Sequence, residues 1–290
     1  MSYRLVRLLA LPFLAVTGPA AAQQVGEPGK LLLTNGISSV EGSAGGGLTP
    51  WAVIAGNETR DGVGAQAAVT AVALPDYDLA NYSIAIGLRD RLELSYARQS
   101  FDTNKVGGVL GLGNDFTFDQ DIWGAKVRLA GDAVFGPSWL PAIAIGVQYK
   151  KNLDPAIVRA VGARERSGAD LYLTATKLLL DHSLLVNATV RATKANQLGL
   201  LGFGGPVRGG RRAEAEGSVA YQFSRRFVAG AEYRMKTGHL AFAREDDAWD
   251  AFAAYAIGRH LTATVAYADL GSIATVAGQR GLLVQLQGSF

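Results

Sequence analysis

From Val63 to Phe290 the chain repeats one unit: about ten residues in which apolar side chains alternate with polar or small ones, then a turn or a longer loop. A period of two belongs to the β-strand and to no helix. The repeats predict twelve strands, at about 63–73, 82–88, 91–98, 122–131, 140–150, 169–179, 184–194, 214–223, 226–236, 248–258, 260–269 and 282–290. Their connections alternate in length. Arg89-Asp90, Gly131 to Trp139, Asp181-His182, Ser224-Arg225 and Gly258-Arg259 are short, whereas those at about 74–81, 99–121, 151–168, 195–213, 237–247 and 270–281 are longer. Tight turns therefore gather at one end of the strands and loops at the other. That layout fits an all-β, transmembrane, antiparallel up-and-down β-barrel, with turns on the periplasmic side and loops outside.

Other architectures fall away on composition. The chain has no cysteine, which excludes disulfide scaffolds, thiolate metal sites, iron–sulfur clusters and cysteine nucleophiles. At 49% hydrophobic and 18% charged residues it is too apolar for a disordered chain. No stretch suits a membrane helix: the run from Ala133 to Tyr149 is interrupted by Gly136, Pro137, Pro141 and Gly146. Residues 1–22 read as a secretory signal peptide, with Arg4 and Arg7, the apolar run Leu8 to Val16, and Ala20-Ala21-Ala22 before an expected cleavage after Ala22. Loss of those two arginines from a total of 28 basic residues leaves 26 against 25 acidic ones, so the mature chain is near neutral. Nucleic acid, whose binding needs an excess of Lys and Arg, is excluded as a partner.

Strand parity separates two faces. One carries residues such as Leu92, Leu94, Ile143, Ile145, Val265 and Tyr267, almost without charge. On the other stand Glu93, Lys126, Arg128, Lys150 and Asp170 in the first half of the barrel, and Arg191, Glu214, Glu216, Glu232, Arg234 and Asp250 in the second. These eleven are the candidate lumen residues. Both signs are present, so neighbouring strands can pair them, as with Glu214 and Glu216 opposite Arg234. Lys177 breaks the pattern near a strand end, where its stem can reach the interface.

A soluble sandwich alternates too, and the aromatic residues favour the membrane. Tyr82, Tyr96, Trp123 and Tyr149, with Tyr233, Trp249 and Tyr267, fall near the loop ends of their strands, and Phe223, Phe227 and Phe290 near the turn ends. Such girdles suit the two interfaces of a bilayer. The chain stops on Val284, Leu286, Gly288 and Phe290, alternating to the last residue. This resembles the terminal assembly signal of outer-membrane proteins, although Gly288 stands where a bulky residue is usual.

Residues 23–62 follow no strand period. Two further strands at about 31–40 and 48–56 would give a barrel of fourteen, but Pro50 lacks the N–H a closed ladder needs. The expected layout is a signal peptide over 1–22, a periplasmic lead or lumen insert over 23–62, and the barrel over 63–290. The segment GKLLLTNGISSVEGSAGGGLTPWAVIAG, with GAKVRLAGDAVFG, LPAIAIGVQYKKN and the terminal Phe290, resembles a family of Gram-negative outer-membrane proteins classed only as a domain of unknown function. The resemblance covers nearly the whole mature chain. It implies an exported barrel and supplies no activity.

Signals of chemistry are weak. The glycines of Val106 to Gly113 and Gly42 to Gly47 lack the Gly-Lys-Ser/Thr of a phosphate loop. Asp115, Asp119 and Asp121, and separately Glu245, Asp246 and Asp247, lack calcium-loop spacing. Of the three histidines, His182 and His260 fall at short turns and His239 in a loop without a serine motif. No enzyme activity, cofactor, catalytic residue or metal site is expected. The expected partners are outer-membrane lipid, lipopolysaccharide near Arg208, Arg211 and Arg212, and the barrel assembly machinery. A narrow passive channel for small solutes is the expected function, with a non-conducting structural or surface-binding barrel as the alternative. Gly87, Gly124, Gly146, Gly230 and Ala254 face inward and leave space, while residues 23–62 could fill it or loop 99–121 cap it.

Overall fold

In the computed structural model, which describes residues 29–290, the repeating units form one closed antiparallel barrel of twelve strands. The signal peptide expected over 1–22 lies outside the described residues. The strands are β3 (Val63–Ala73), β4 (Asp78–Leu88), β5 (Leu92–Asp102), β6 (Thr117–Ala130), β7 (Ala142–Asn152) and β8 (Ser167–Leu179), then β9 (Leu184–Thr193), β10 (Arg212–Ser224), β11 (Phe227–Arg234), β12 (Ala248–Ala256), β13 (Leu261–Asp269) and β14 (Arg280–Ser289). Each pairs with its neighbours in sequence, and β14 closes onto β3 with Leu286 opposite Val69. Closure follows from the backbone: every ladder N–H and C=O finds a partner only when no edge remains. An eleven-residue strand spans about 36 Å along its axis, enough to cross an apolar band of about 25 Å when tilted.

The pairing of β5 with β6 is longer than alternation predicts. Its ladder continues to Asp102 and back from Thr117, through residues that sequence assigns to a loop. Gln99 and Gln120 hydrogen-bond inside this extension, and on the outside Arg98 reaches Asp119 and Asp121 at 3.2 and 2.6 Å. Polar pairs keep the strands together where the apolar signal has ended. The β10–β11 turn is Arg225-Arg226, one residue beyond the expected position, because the register slips between Gln222 and Ser224.

Parity holds around the wall. Ile84, Leu94, Val127, Leu173, Val190 and Val265 face outward and exposed, in a continuous apolar belt of a kind soluble monomers do not carry. Toward the loop ends Tyr96, Trp123 and Tyr149 stand side by side with ring centroids 5.8 Å apart, and Trp249 meets Tyr267 at 6.0 Å. Tyr82 and Tyr233 face the same way, and Tyr221, Phe223 and Phe227 cluster toward the turn ends. Lys177 folds back: its ammonium bonds the Asp132 and Phe135 carbonyls of the 131–141 turn.

The loops carry two six-residue helices. α1 (Asn104–Val109) sits between β5 and β6. α2 (Pro155–Ala160) starts on proline, with the Asp154 side chain accepting from Ala156 and Ile157 amides.

Residues 34–56 add no strand to the wall. They lie inside the barrel as a folded segment containing a two-residue hairpin, β1 (Ile37–Ser38) with β2 (Ala44–Gly45), and all of them are buried. Pro50 turns its carbonyl to the inner wall, where Thr174, Thr189 and Asn187 of β8 and β9 donate to it. A residue that cannot serve a ladder thus serves as an acceptor inside one.

Candidate functional site

The lumen is organised around Glu41 of the inner segment. Its carboxylate pairs with Lys150, with Arg191 at 3.3 Å and with Arg234 at 2.9 Å, side chains from β7, β9 and β11. Asp170 completes the cluster against Lys150 at 2.6 Å, and Glu216 against Arg191 and Arg234. Three cations therefore face three carboxylates, one of which belongs to no strand. Burying such charges costs several kcal/mol each unless partners offset it, and here every charge of the cluster has at least one opposite charge against it.

Two further contacts pin the same segment. Glu93 bonds the amides of Ala44 and Ala55 and pairs with Lys126 at 3.0 Å, while Lys126 donates to the Ala44 carbonyl. On the opposite wall Glu232 accepts from the Leu48 amide at 2.7 Å and the Thr49 hydroxyl at 2.6 Å, with Asp250 opposite it in register. A Cβ at Gly46 would overlap the Glu232 carboxylate, so only glycine allows this approach.

The structure brings all eleven candidate lumen residues inward, none more than 9% exposed. At that exposure the charged lining of the lumen is covered by protein. The expected pairing of Glu214 with Arg234 is not made. Glu214 accepts from the Thr237 amide and only Glu216 reaches Arg234, because Glu216 stands directly opposite it and Glu214 lies beyond the end of β11. Arg128 sits at the turn end, paired with Asp90 at 2.6 Å. The room expected at small inward residues is taken. Ala55 and Glu58 fill the position over Gly87, Ser95 that over Gly124, Tyr172 that over Gly146 and Ala220 that over Gly230.

Among the described residues, no backbone–backbone hydrogen bond joins residues 34–56 to a strand of the wall. Its ties to the wall run through side chains. The chain leaves the barrel at the turn end, where the Asn57 amide donates to the Phe290 carbonyl at 2.9 Å and Lys30 reaches Asp90 and Glu58 at 3.0 and 3.5 Å. Burial pushes the Glu58 carboxyl up to about 7 despite Lys30. Val284 and Leu286 face outward before the exposed Phe290, whose ring stacks on His260 at 5.2 Å. Beside Arg60, Arg89, Arg91 and Arg128 a cavity of about 590 Å³ opens at this end.

At the other end the loops fold inward over the segment. They enclose an apolar chamber of about 240 Å³ to which all six contribute: Tyr77, Leu110, Ile157, Leu201, Phe242 and Ile273 come from one loop each. Leu48 and Arg234 lie at its base. Sequence reasoning missed this chamber, although the run Leu198-Gly199-Leu200-Leu201-Gly202-Phe203 is unusually apolar for an external loop. Gln120 and Asn152 of the wall hold that run by its Leu198 and Leu200 carbonyls.

The remaining polar candidates are engaged by the protein. Asp246 takes the Ser272 hydroxyl and pairs with Arg244, Asp247 takes the Lys236 amide, and Glu245 takes the Gln197 amide at 2.6 Å. Burial pushes Glu245 up to about 7 beside Lys236. His239 directs Nδ1 to the Arg208 carbonyl, and burial pushes its ring down. Arg208 and Arg211 spend donors on the Gly238 and Ala169 carbonyls.

No curated protein matches this chain. Among solved structures it is similar to the KdgM porin at 13% identity and a TM-score of 0.51, covering 78% of this chain and 99% of that one. The COG4313 outer membrane channel from Pseudomonas putida F1 gives 12% identity and a TM-score of 0.47, with 79% and 96% covered. Outer membrane phospholipase A from Escherichia coli gives 11% and 0.44, with 78% and 92% covered. The likeness to the first shows a shared fold, that of an outer-membrane barrel. Over residues 34–287, inner segment and barrel together, the chain matches the family described as protein of unknown function (DUF3034), and it belongs to that family.

Proposed function

We propose that this protein is a channel for small solutes in the bacterial outer membrane, held shut by residues 34–56 acting as a plug. The observation that carries the reading is how the plug is attached. A rigid core would share backbone ladders with the wall, whereas this segment shares none and is held by wall side chains that bond its amides, carbonyls and carboxylate. It can therefore move without opening any seam of the barrel. A cavity at each end, one apolar and one lined by arginines, supports a path that the plug interrupts.

Planar-bilayer recording of the mature chain and of a form lacking residues 23–62 tests this. The full chain is expected to be silent or to open rarely, and the truncated form to conduct in steps. Silence from both, with the barrel still folded, would overturn the channel and leave a structural or surface-binding barrel.

A further inference from the structure

The chamber under the loops has the character of a binding site. Its walls are apolar side chains drawn from loops that, outside a membrane, gain nothing by pointing such groups at water. Tyr77, Phe101 and Phe118 form a continuous aromatic wall, with ring centroids 5.1 and 5.4 Å apart. Leu110, Leu112 and Phe242 at the rim are 39, 36 and 36% exposed, so the chamber opens outward between the 103–116 and 235–247 loops. A cavity of about 150 Å³ suffices for benzene, and this one, at about 240 Å³, has room for a molecule of one to two rings.

Its polar groups are already committed. Gln99 donates to the Val40 carbonyl and accepts from Gln120, Thr103 bonds the Phe116 carbonyl, and Gln197 donates to the Arg244 and Ser272 carbonyls. Arg234 is neutralised by Glu41 and Glu216, and Lys236 bonds the Leu270 carbonyl near Glu245. Arg234 Nε makes no hydrogen bond, but it lies 3.5 Å from Glu216 and its charge is already paired, so a charged or sugar-like guest gains little here. Three lining residues, Gln197, Leu198 and Ala274, hold positive φ of 47, 61 and 52° without being glycine. Backbone strain of this kind persists where the surroundings enforce it, and it gathers at ligand sites.

We infer that the loop-side chamber binds a small, uncharged, apolar molecule with an aromatic ring, captured from the outside above the plug. The inference uses the channel reading only for where the molecule goes next; the binding itself rests on the chamber.

The test uses the full mature chain in lipid nanodiscs with 1-fluoronaphthalene as probe, read by fluorine NMR. A saturable bound resonance is expected that empty nanodiscs lack, with naphthalene-1-sulfonate competing at least tenfold more weakly than naphthalene. Ala248→Phe and Ile273→Trp fill the chamber and should abolish the bound resonance while keeping the heat-dependent gel mobility of a folded barrel. Crystals of the unmodified chain soaked in 1-bromonaphthalene ask the same question without a variant: the bromine should lie between Phe118 and Ile273. No bound resonance, one untouched by both filled variants, equal competition by the sulfonate, or bromine elsewhere would overturn the site. Binding by a chain whose truncated form stays silent keeps the site and removes the channel, and conduction without binding does the reverse.

Discussion

Replacing Glu41 by glutamine would leave the buried Lys150, Arg191 and Arg234 facing only Asp170 and Glu216. Removing one partner of a buried ion pair costs about 3–5 kcal/mol, because the other charge stays uncompensated. The loss should fall on the docked plug and not on the ladders, so Glu41→Gln is expected to conduct in bursts while β content and heat-modifiable mobility are kept. Bilayer silence equal to the unmodified protein would show that the cluster does not hold the plug. The lumen side of this cluster was legible, since a period of two assigns Lys150, Arg191 and Arg234 to the inner face. Glu41 was not. It lies where the sequence has no period, and nothing local marks a glutamate whose partners are more than a hundred residues away.

Gly46 sets how closely the inner hairpin approaches β11, and a larger residue there must displace either the hairpin or the Glu232 carboxylate. Gly46→Val should therefore expose residues 34–56 to protease while the barrel stays resistant; digestion unchanged from the parent would refute the contact. The last strand offers a sharper contrast. Phe290 is exposed on the outer face and Ser289 buried on the inner one, so Phe290→Asp should lower membrane-inserted protein several-fold and Ser289→Ala hardly at all, measured by fractionation. Strands were the most legible elements because half-buried walls impose strict alternation. Extensions such as 99–102 and 117–121 were not, because paired polar residues hold the ladder there without an apolar signal. The inward fold of the loops was hidden for a related reason: Leu198 to Phe203 carries apolar residues in no strand period, and its anchors, Gln120 and Asn152, lie in distant strands.

For the molecule as a whole, acid is expected to stabilise the fold. Glu58 beside Lys30 and Asp90 at the turn end, and Glu245 beside Lys236 and Asp246 at the loop end, both have folded values of about 7 against an ordinary 4.5. Between those values the folded protein holds protons that the unfolded chain has released, so this stability is full below about 4.5 and is lost as pH rises through about 7. His239 works the other way below its ordinary 6.5, since burial favours its neutral ring. Between pH 6.5 and 8 the two carboxyls outweigh the tail of the opposing His239 titration: the melting temperature should fall over that interval, and Glu58→Gln with Glu245→Gln should remove the fall. The barrel as a whole was legible in the sequence, but its occupancy was not, because inward glycines look alike whether water or another segment lies over them. The tether of that segment also bears on biogenesis. Asn57 meets the Phe290 carbonyl beside the β14–β3 seam, the last junction a growing sheet can close. A sheet that curls from its first strand toward its last can thus wrap around the amino-terminal segment, which need never thread a finished pore, and sealing the wall and seating its contents become a single event.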